Sequence, residues 1–213
     1  MGLFQNRPQV SDPVNYVTVG MNKTILVVGL GNPGKEYDFT RHNAGFLCVD
    51  EFVDKNPDMG SWVEKKDLKC IMSNGRLGEL RVIAIKPTTF MNNSGEAVRA
   101  TCDFYKIHPS QMVVVHDELD ITFGQLRTRI GGSSAGHNGI KSIVQHCGEE
   151  FGRIRIGIGP KVPEQIDSAD FVLGKFSKEE QAELPTMARE ANAVLTEFIY
   201  GGQLTIETRN FLI

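Results

Sequence analysis

Short apolar runs bounded by turn residues alternate along this chain with longer segments in which apolar positions recur every three or four residues. Thr24 to Val28, Leu80 to Ile85 and Met112 to Val115 are short, branched and nearly continuous, the pattern of strands buried on both faces. Between them, residues 43–56 put Phe46, Val49 and Val53 on one helical stripe, and residues 94–106 do so with Val98, Cys102 and Tyr105. Leu126-Arg127-Thr128-Arg129-Ile130 and Arg153-Ile154-Arg155-Ile156 read as strands whose alternation sends both arginines to one face, so that the pair would present a row of four guanidinium groups. Lys178 to Leu184 and Pro185 to Tyr200 read as two helices, with Pro185 at a first helical position; Gly201-Gly202 then breaks the chain before a last short helix. This rhythm predicts an α/β fold, a single-domain three-layer sandwich with a mixed, mostly parallel central sheet flanked by helices.

The length of 213 residues suits one domain, expected over residues 23–213, preceded by a loose arm over residues 1–22. That arm carries Pro8 and Pro13 and lacks the apolar run of a signal peptide. No stretch is apolar enough to span a bilayer, so no membrane partner is expected. Cys48, Cys70, Cys102 and Cys147 show no CxxC spacing and read as reduced thiols, consistent with a cytoplasmic protein. The net charge of −3 argues against a general nucleic-acid binder, but it conceals a polarised surface. Residues 123–160 hold five basic side chains against two acidic ones, whereas residues 161–213 hold five against nine. An arginine row inside the positive segment suits phosphate.

The candidate chemistry lies in four polar clusters: Thr40-Arg41-His42-Asn43, Met91-Asn92-Asn93-Ser94, His116-Asp117 and Gly136-His137-Asn138. An imidazole oriented by a carboxylate and surrounded by amide donors is equipped for acyl transfer. Asp117, placed just past a strand end, would hold one ring nitrogen of His42 while the other activates water. Asn32, Asn92 and Asn138 each follow a strand or open a helix, positions that converge at one edge of an α/β sheet. Asn93 precedes Ser94-Gly95-Glu96 in a near capping box and reads as a helix cap, which leaves Asn92 free for function.

Three other motifs point elsewhere and fail on context. Gly29-Leu30-Gly31-Asn32-Pro33-Gly34 matches GxGxxG, but no helix begins within the glycine turn, and Asp50 and Glu51 fall inside a helix instead of at a strand end. Gly132-Ser133-Ser134-Ala135-Gly136 matches GxSxG, yet the last histidine, His146, sits on the helix that follows immediately, so Ser134 lacks a triad. Asp117-Glu118-Leu119-Asp120 has no phosphate loop beside it and reads as a strand-end turn, not a magnesium site. No cofactor and no metal are expected.

Taken together the motifs resemble bacterial-type peptidyl-tRNA hydrolase. The resemblance runs through Val28-Gly29-Leu30-Gly31-Asn32-Pro33-Gly34, Tyr37, Thr40-Arg41-His42-Asn43-Ala44-Gly45, Lys86-Pro87-Thr88-Thr89-Phe90-Met91-Asn92, His116-Asp117-Glu118-Leu119-Asp120, Gly136-His137-Asn138-Gly139, Arg153-Ile154-Arg155-Ile156-Gly157-Ile158-Gly159 and Phe171-Val172-Leu173, in that family's order over roughly residues 23–210. It implies a monomeric, cytoplasmic α/β enzyme that cleaves the ester between a peptide and the 3′-terminal ribose of tRNA, with the acceptor arm and CCA end as its partner. By this resemblance His42 is the general base and Asp117 orients it. Asn32 and Asn92 hold the substrate near the ester, Phe90 and Met91 line the wall, and Tyr37 lies beside the 3′ end. Asn138 positions the acceptor end or a water, Arg129 and Arg155 grip phosphate, and His137 holds its loop. The stretch Gly131-Gly132-Ser133-Ser134-Ala135-Gly136 departs from the more glycine-rich family pattern, which makes the closure of that loop over substrate a question for the structure. The rival from another class is a non-catalytic RNA-binding relative like the chloroplast intron splicing factors. A serine esterase acting through Ser134 is a third reading.

Overall fold

Residues 24–212, described here from a computed structural model, build one eight-stranded sheet in the order β2-β3-β4-β1-β5-β7-β6-β8. The strands are β1 (Thr24–Gly29), β2 (Val63–Lys65), β3 (Cys70–Leu77), β4 (Leu80–Pro87), β5 (Met112–Thr122), β6 (Gln125–Ile130), β7 (Gly152–Gly159) and β8 (Thr208–Asn210). The central strands β4, β1, β5 and β7 are parallel, and only β3 and β6 run against the rest, so the sheet is mixed with six strands in one direction. The arm expected over residues 1–22 lies outside the described residues.

Strand alternation divides the core in two. Val27, Val113, Val115, Ile154 and Ile156 pack beneath α1 (Ala44–Lys55) and α5 (Lys178–Gly201), while Leu26, Val28, Ile85 and Val114 pack beneath α2 (Ser94–Tyr105) and α3 (Asn138–Cys147). A short α4 (Ser168–Leu173) anchors on the first face through Phe171. At about 1.5–3 kcal/mol for each buried Val, Leu or Ile, strands covered on both faces are the cheapest way to bury these continuous apolar runs. The three layers agree with the sequence reading.

The close seat of α1 on the sheet depends on Gly45. A Cβ there would stand 2.3 Å from the carbonyl oxygen of Val115 and 2.5 Å from the amide of Leu30. No side chain fits, so the helix start, and the Arg41–Asn43 turn before it, lie directly over the end of β1 and the stretch of β5 beside it. There β1 stops: Gly29 pairs with Val115, and the Leu30 N–H donates to Val115 O at 3.0 Å. The chain leaves β1 through α1 for β2, β3 and β4 on one side, then crosses from β4 through α2 to β5 on the other, which opens the crevice expected at such a switch point.

Four elements differ from the sequence pattern. The α1 stripe is Ala44, Cys48, Val49, Phe52 and Val53; Phe46 is only half-buried and lays its ring over Gly31, in the space that a side chain there would need. On α2 the stripe is Ala97, Val98, Thr101 and Cys102, and Tyr105 is likewise only half-buried. The two helices expected on either side of Pro185 are one, α5, opened by a Ser177–Glu180 capping box. A proline inside a helix costs about 3 kcal/mol, and the buried stripe Leu184, Met187, Ala188 and Ala191 that crosses it outweighs that cost. Where a last short helix was expected, β8 pairs with the open edge of β6, fastened by ion pairs from Arg209 to Glu190, Glu197 and Glu207.

β5 also runs further than the apolar Met112–Val115 run, through to Thr122, because β7 continues to pair with it at His116, Asp117 and Glu118. Asp117 is therefore not past a strand end but inside a strand that has outrun its other neighbour. The Asp117-Glu118-Leu119-Asp120 stretch is strand, not a turn.

Candidate active site

The crevice is a cleft of about 670 Å³ at the carboxyl ends of the central strands. Each polar cluster arrives there on a different connection. Asn32 follows β1, and His42 sits in the turn before α1. Met91 and Asn92 lie in the Met91–Asn93 turn between β4 and α2, Asp117 is on β5, and Asn138 is the first residue of α3. Tyr37, Phe90 and Leu119 add to its walls, as do Ala169, Val172 and Leu173 of α4.

Asp117 is the hub. His42 Nδ1 lies 2.9 Å from its Oδ1 and 3.0 Å from its Oδ2, and His137 Nε2 lies 3.0 Å from Oδ1. A carboxylate can only accept, so both imidazoles donate to it. His137 has its other nitrogen committed, since Nδ1 accepts the Ile140 N–H at 3.3 Å and caps α3. For His42 the consequence is chemical: with its proton on Nδ1, Nε2 carries the lone pair and has no partner among the described residues, on a ring that borders the cleft. Neighbouring His116 is fully buried, donates from Nδ1 to Asp117 O at 2.7 Å, and packs edge-on against His137 at 4.8 Å between ring centres.

The electrostatics follow from burial and this geometry. Burial alone would push Asp117 up, but the charges of His42 and His137 and their hydrogen bonds hold its carboxyl well below the usual carboxylate range. For His42, burial lowers the pKa and the attraction and hydrogen bond of Asp117 outweigh it, so the imidazole titrates above the ordinary histidine value. His116 moves the opposite way, pushed well down by burial and then by His137, and stays neutral. Asp117, His42 and His137 place a ligand atom each within 4.8 Å of one another, a two-histidine, one-carboxylate set of the kind that holds transition metals. Here the nitrogens facing the carboxylate are already occupied by the protons they donate to it, which a metal would have to replace.

Asn32 is fixed on both sides. Its backbone N–H donates to Asn43 Oδ1 at 2.8 Å and its carbonyl accepts from Asn43 Nδ2 at 3.0 Å, a two-point clamp from the residue next to His42. Its own Oδ1 accepts the Met91 N–H at 2.8 Å. Because a backbone N–H can only donate, the oxygen must face Met91, and the Nδ2 amide of Asn32 is left without a protein partner on a side chain that borders the cleft. Asn43 is the residue sequence reasoning missed. It stands out in the His42-Asn43 doublet, but its role depends on backbone groups eleven residues away that no motif displays.

The remaining expectations divide. Tyr37, Phe90, Met91, Asn92 and Asn138 all border the cleft; Tyr37 and Phe90 meet edge-to-face at 6.3 Å, with Phe90 57% exposed. Arg129 and Arg155 do not border it. They lie on the sheet face that carries α2 and α3, where Arg127 pairs with Arg155 and Arg129 with Arg153 across β6 and β7. The row of four is a row of three plus a structural member, because Arg153 is fully buried, lies 4.8 Å over the Phe151 ring and donates to Gly132 O and Ser133 O at 2.7 Å each. Burial, and then repulsion from Arg129, push Arg153 down to about 10, and the same two causes lower Arg155. A guanidinium cluster that lowers its own pKa is relieved by an anion.

Arg153 also supports the loop that leads to His137. It holds the Gly132-Ser133 carbonyls from below, and the chain then passes Ala135 at φ 46° and Gly136 at φ 81° to reach the cleft. Alanine in the left-handed region is strained, a cost that recurs at functional sites. His137 does more than hold this loop, since it shares the carboxylate with His42. Asn93 stands at the N-cap of α2 without a side-chain bond; the turn is closed by Ser94 Oγ donating to Met91 O at 2.9 Å. Ser134 does not border the cleft, and His146 Nδ1 is spent on Ser142 O at 2.8 Å, so the serine-esterase reading has no triad. After the glycine turn of β1 comes the Lys35–Tyr37 turn instead of a helix, which removes the dinucleotide reading.

Comparison with known proteins places this geometry. The family model described as peptidyl-tRNA hydrolase matches residues 26–211. The chain is 48% identical over 163 residues to a peptidyl-tRNA hydrolase of Gloeobacter violaceus, covering 76% of this chain and 81% of that one. It is 42% identical over 184 residues to one from an Exiguobacterium species, covering 86% and 97%. Among solved structures, that of peptidyl-tRNA hydrolase from Acinetobacter baumannii superposes with a TM-score of 0.77 at 38% identity, over 86% of this chain and 92% of the other.

Proposed function

Since the chain belongs to the peptidyl-tRNA hydrolase family and hydrolyses peptidyl-tRNA, we propose that His42 is its general base, acting from Nε2 on a water in the cleft. The observation that carries this is the Asp117 carboxylate receiving His42 Nδ1 at 2.9 Å, which fixes the tautomer with the lone pair on Nε2. As the water attacks the ester carbonyl, the imidazole becomes positive, and buried Asp117 supports that charge. The proton then passes to the departing ribose oxygen. Asn32 Nδ2, held in place through Met91 and Asn43, donates to the carbonyl oxygen as it gains charge. One such donor is worth roughly 10²–10³ in rate. An ester is activated enough for this machinery to suffice without a Lewis acid.

Substrate direction follows from the two sides of the cleft. On one side stand half-buried Tyr37 and exposed Phe90, a platform for unstacked bases of the CCA end, and the sheet face that carries α2 and α3 also carries Arg127, Arg129 and Arg155 for acceptor-arm phosphates. Asn92 and Asn138 border the same cleft, where their amides bind the ester region. On the other side α4 offers Ala169, Val172 and Leu173, an apolar wall for the peptide. In this reading residues 23–213 are the catalytic unit and the protein works as a monomer in the cytoplasm, where its substrate arises. No helix among the described residues is long and apolar enough to cross a membrane. The splicing-factor reading is not favoured: the curated relatives are named as hydrolases.

The test is release of the acyl group from N-acetyl-aminoacyl-tRNA and from free aminoacyl-tRNA, with EDTA present, by wild type and His42→Ala. Expected are rapid cleavage of the acetylated substrate by wild type and turnover abolished by His42→Ala with tRNA affinity kept. A His42→Ala protein retaining most of its turnover would remove the general-base assignment.

A further inference from the structure

Arg41 stands next to the base in sequence, yet its side chain does not border the cleft and no step above uses it. Its guanidinium gathers three consecutive pieces of the C-terminal region. It lies 4.3 Å over the ring of Phe171, the single buried residue of α4, and 5.6 Å from the ring of Phe176. Nη1 donates to Lys175 O at 2.9 Å, and Nη2 donates to Glu180 Oε2 at 2.7 Å. The same carboxylate accepts the Ser177 N–H at 2.7 Å and so closes the start of α5. The backbone repeats the connection, with Arg41 N–H to Gly174 O at 3.0 Å, Phe176 N–H to Phe39 O at 3.1 Å, and a bridge between Thr40 and Lys175.

A six-residue helix is too short to hold itself, so α4 takes its position from what it is tied to. Lys161 holds its leading end, through Nζ to Ile166 O at 3.0 Å and to Ser168 Oγ at 3.3 Å. Its trailing end, where Val172 and Leu173 face the cleft, is held through Phe171 and the Gly174–Lys175 carbonyls, and those are what Arg41 grips. A planar fork with a face for an aromatic ring makes all of these contacts at once, which an ammonium cannot.

We propose that Arg41 is a positioning residue that sets the α4 wall at a fixed distance from His42, so that this wall binds the peptide chain beyond its first residue and favours longer peptides over a single acylated residue. This rests on the hydrolase reading, with the peptide directed toward α4. The guanidinium lies behind the wall and one residue from the base, so wall and base move as one body. A short acyl group needs only the base and Asn32; a longer peptide also needs the wall.

The experiment compares full-length wild type, Arg41→Gln, Arg41→Lys and Glu180→Gln on N-acetyl-aminoacyl-tRNA and on tRNA carrying an N-acetylated tetrapeptide, with melting temperatures recorded. Loss of a charge-assisted fork predicts a KM raised about tenfold on the tetrapeptidyl substrate and at most about twofold on the short one, with kcat and its pH midpoint unchanged. Arg41→Lys restores little of it. Glu180→Gln, which keeps the α5 cap, shifts KM in the same direction by less, and it carries the test should Arg41→Gln fail to fold. Equal losses on both substrates, a displaced pH midpoint, or unchanged KM in folded variants would each overturn the proposal. Wild type cleaving neither substrate would instead overturn the hydrolase reading beneath it.

Discussion

Asp117→Asn tests the hub most severely, because it preserves shape and removes a single negative charge. In the native site Oδ1 accepts from both His42 and His137, and Oδ2 accepts from His42. An asparagine has one oxygen and one NH2 group. If its oxygen takes the shared position, the NH2 group faces His42 Nδ1 at the former 3.0 Å; if it is turned over, the NH2 group faces both rings. His137 is pinned as a donor by the Ile140 N–H, so His42 must yield, moving its proton to Nε2 and losing the lone pair that attacks water. The charge term adds to this. Opposite charges 2.9 Å apart at an effective dielectric near 20 attract by about 6 kcal/mol, of which burial takes back a large part. A remainder of about 3 kcal/mol is about two powers of ten, and loss of the correct tautomer brings the expected fall in kcat to between about 10² and 10⁴.

The assay is kcat against pH on N-acetyl-aminoacyl-tRNA. In wild type the base must be neutral, so activity rises with pH through a midpoint above the ordinary histidine value. In Asp117→Asn burial acts unopposed and the acid limb moves to lower pH, while the plateau drops. The linkage to stability has two limbs of opposite sign. The raised pKa of His42 contributes stability below the unfolded histidine value, lost as pH rises through the folded one; the lowered pKa of Asp117 contributes stability above the unfolded carboxylate value, lost as pH falls. Both disappear in the variant, which should melt lower than wild type near neutral pH. A variant with near-native kcat, or an acid limb that stays in place or moves up, refutes the argument that Asp117 sets the tautomer and charge of His42.

Arg155→Ala and Arg129→Ala should each weaken tRNA binding and reduce the slope of log affinity against log salt by about one, while kcat at saturation holds; filter binding across a salt series measures this, and an unchanged slope removes that residue from the phosphate contacts. Arg153→Ala should behave differently, costing about 2–4 kcal/mol of stability by leaving two loop carbonyls unpaired and a cavity over Phe151, as read from urea denaturation. A stable Arg153→Ala protein with a reduced salt slope would return Arg153 to the phosphate row.

The alternation of branched runs and amphipathic segments determined the fold class, because a strand buried on both faces and a helix buried on one leave different periods in the chain. It also determined the candidates: His42, Asp117, Asn32, Asn92 and Asn138 are polar residues just past apolar runs or at helix starts, and in a parallel sheet those places share one edge. Periodicity was silent where the deciding contact is remote. Whether Pro185 ends a helix depended on a buried stripe on both sides of it, and β8 exists because β6 had an open edge to cover. Arg153 and Arg155 are alike in sequence; only the loop above one of them makes it structural. His137 shares a carboxylate with His42, Asn43 clamps Asn32, and Arg41 meets α4 more than a hundred residues away. A backbone carbonyl or a carboxylate brought in from a distant segment leaves no mark on the local pattern, so these roles belong to the tertiary structure.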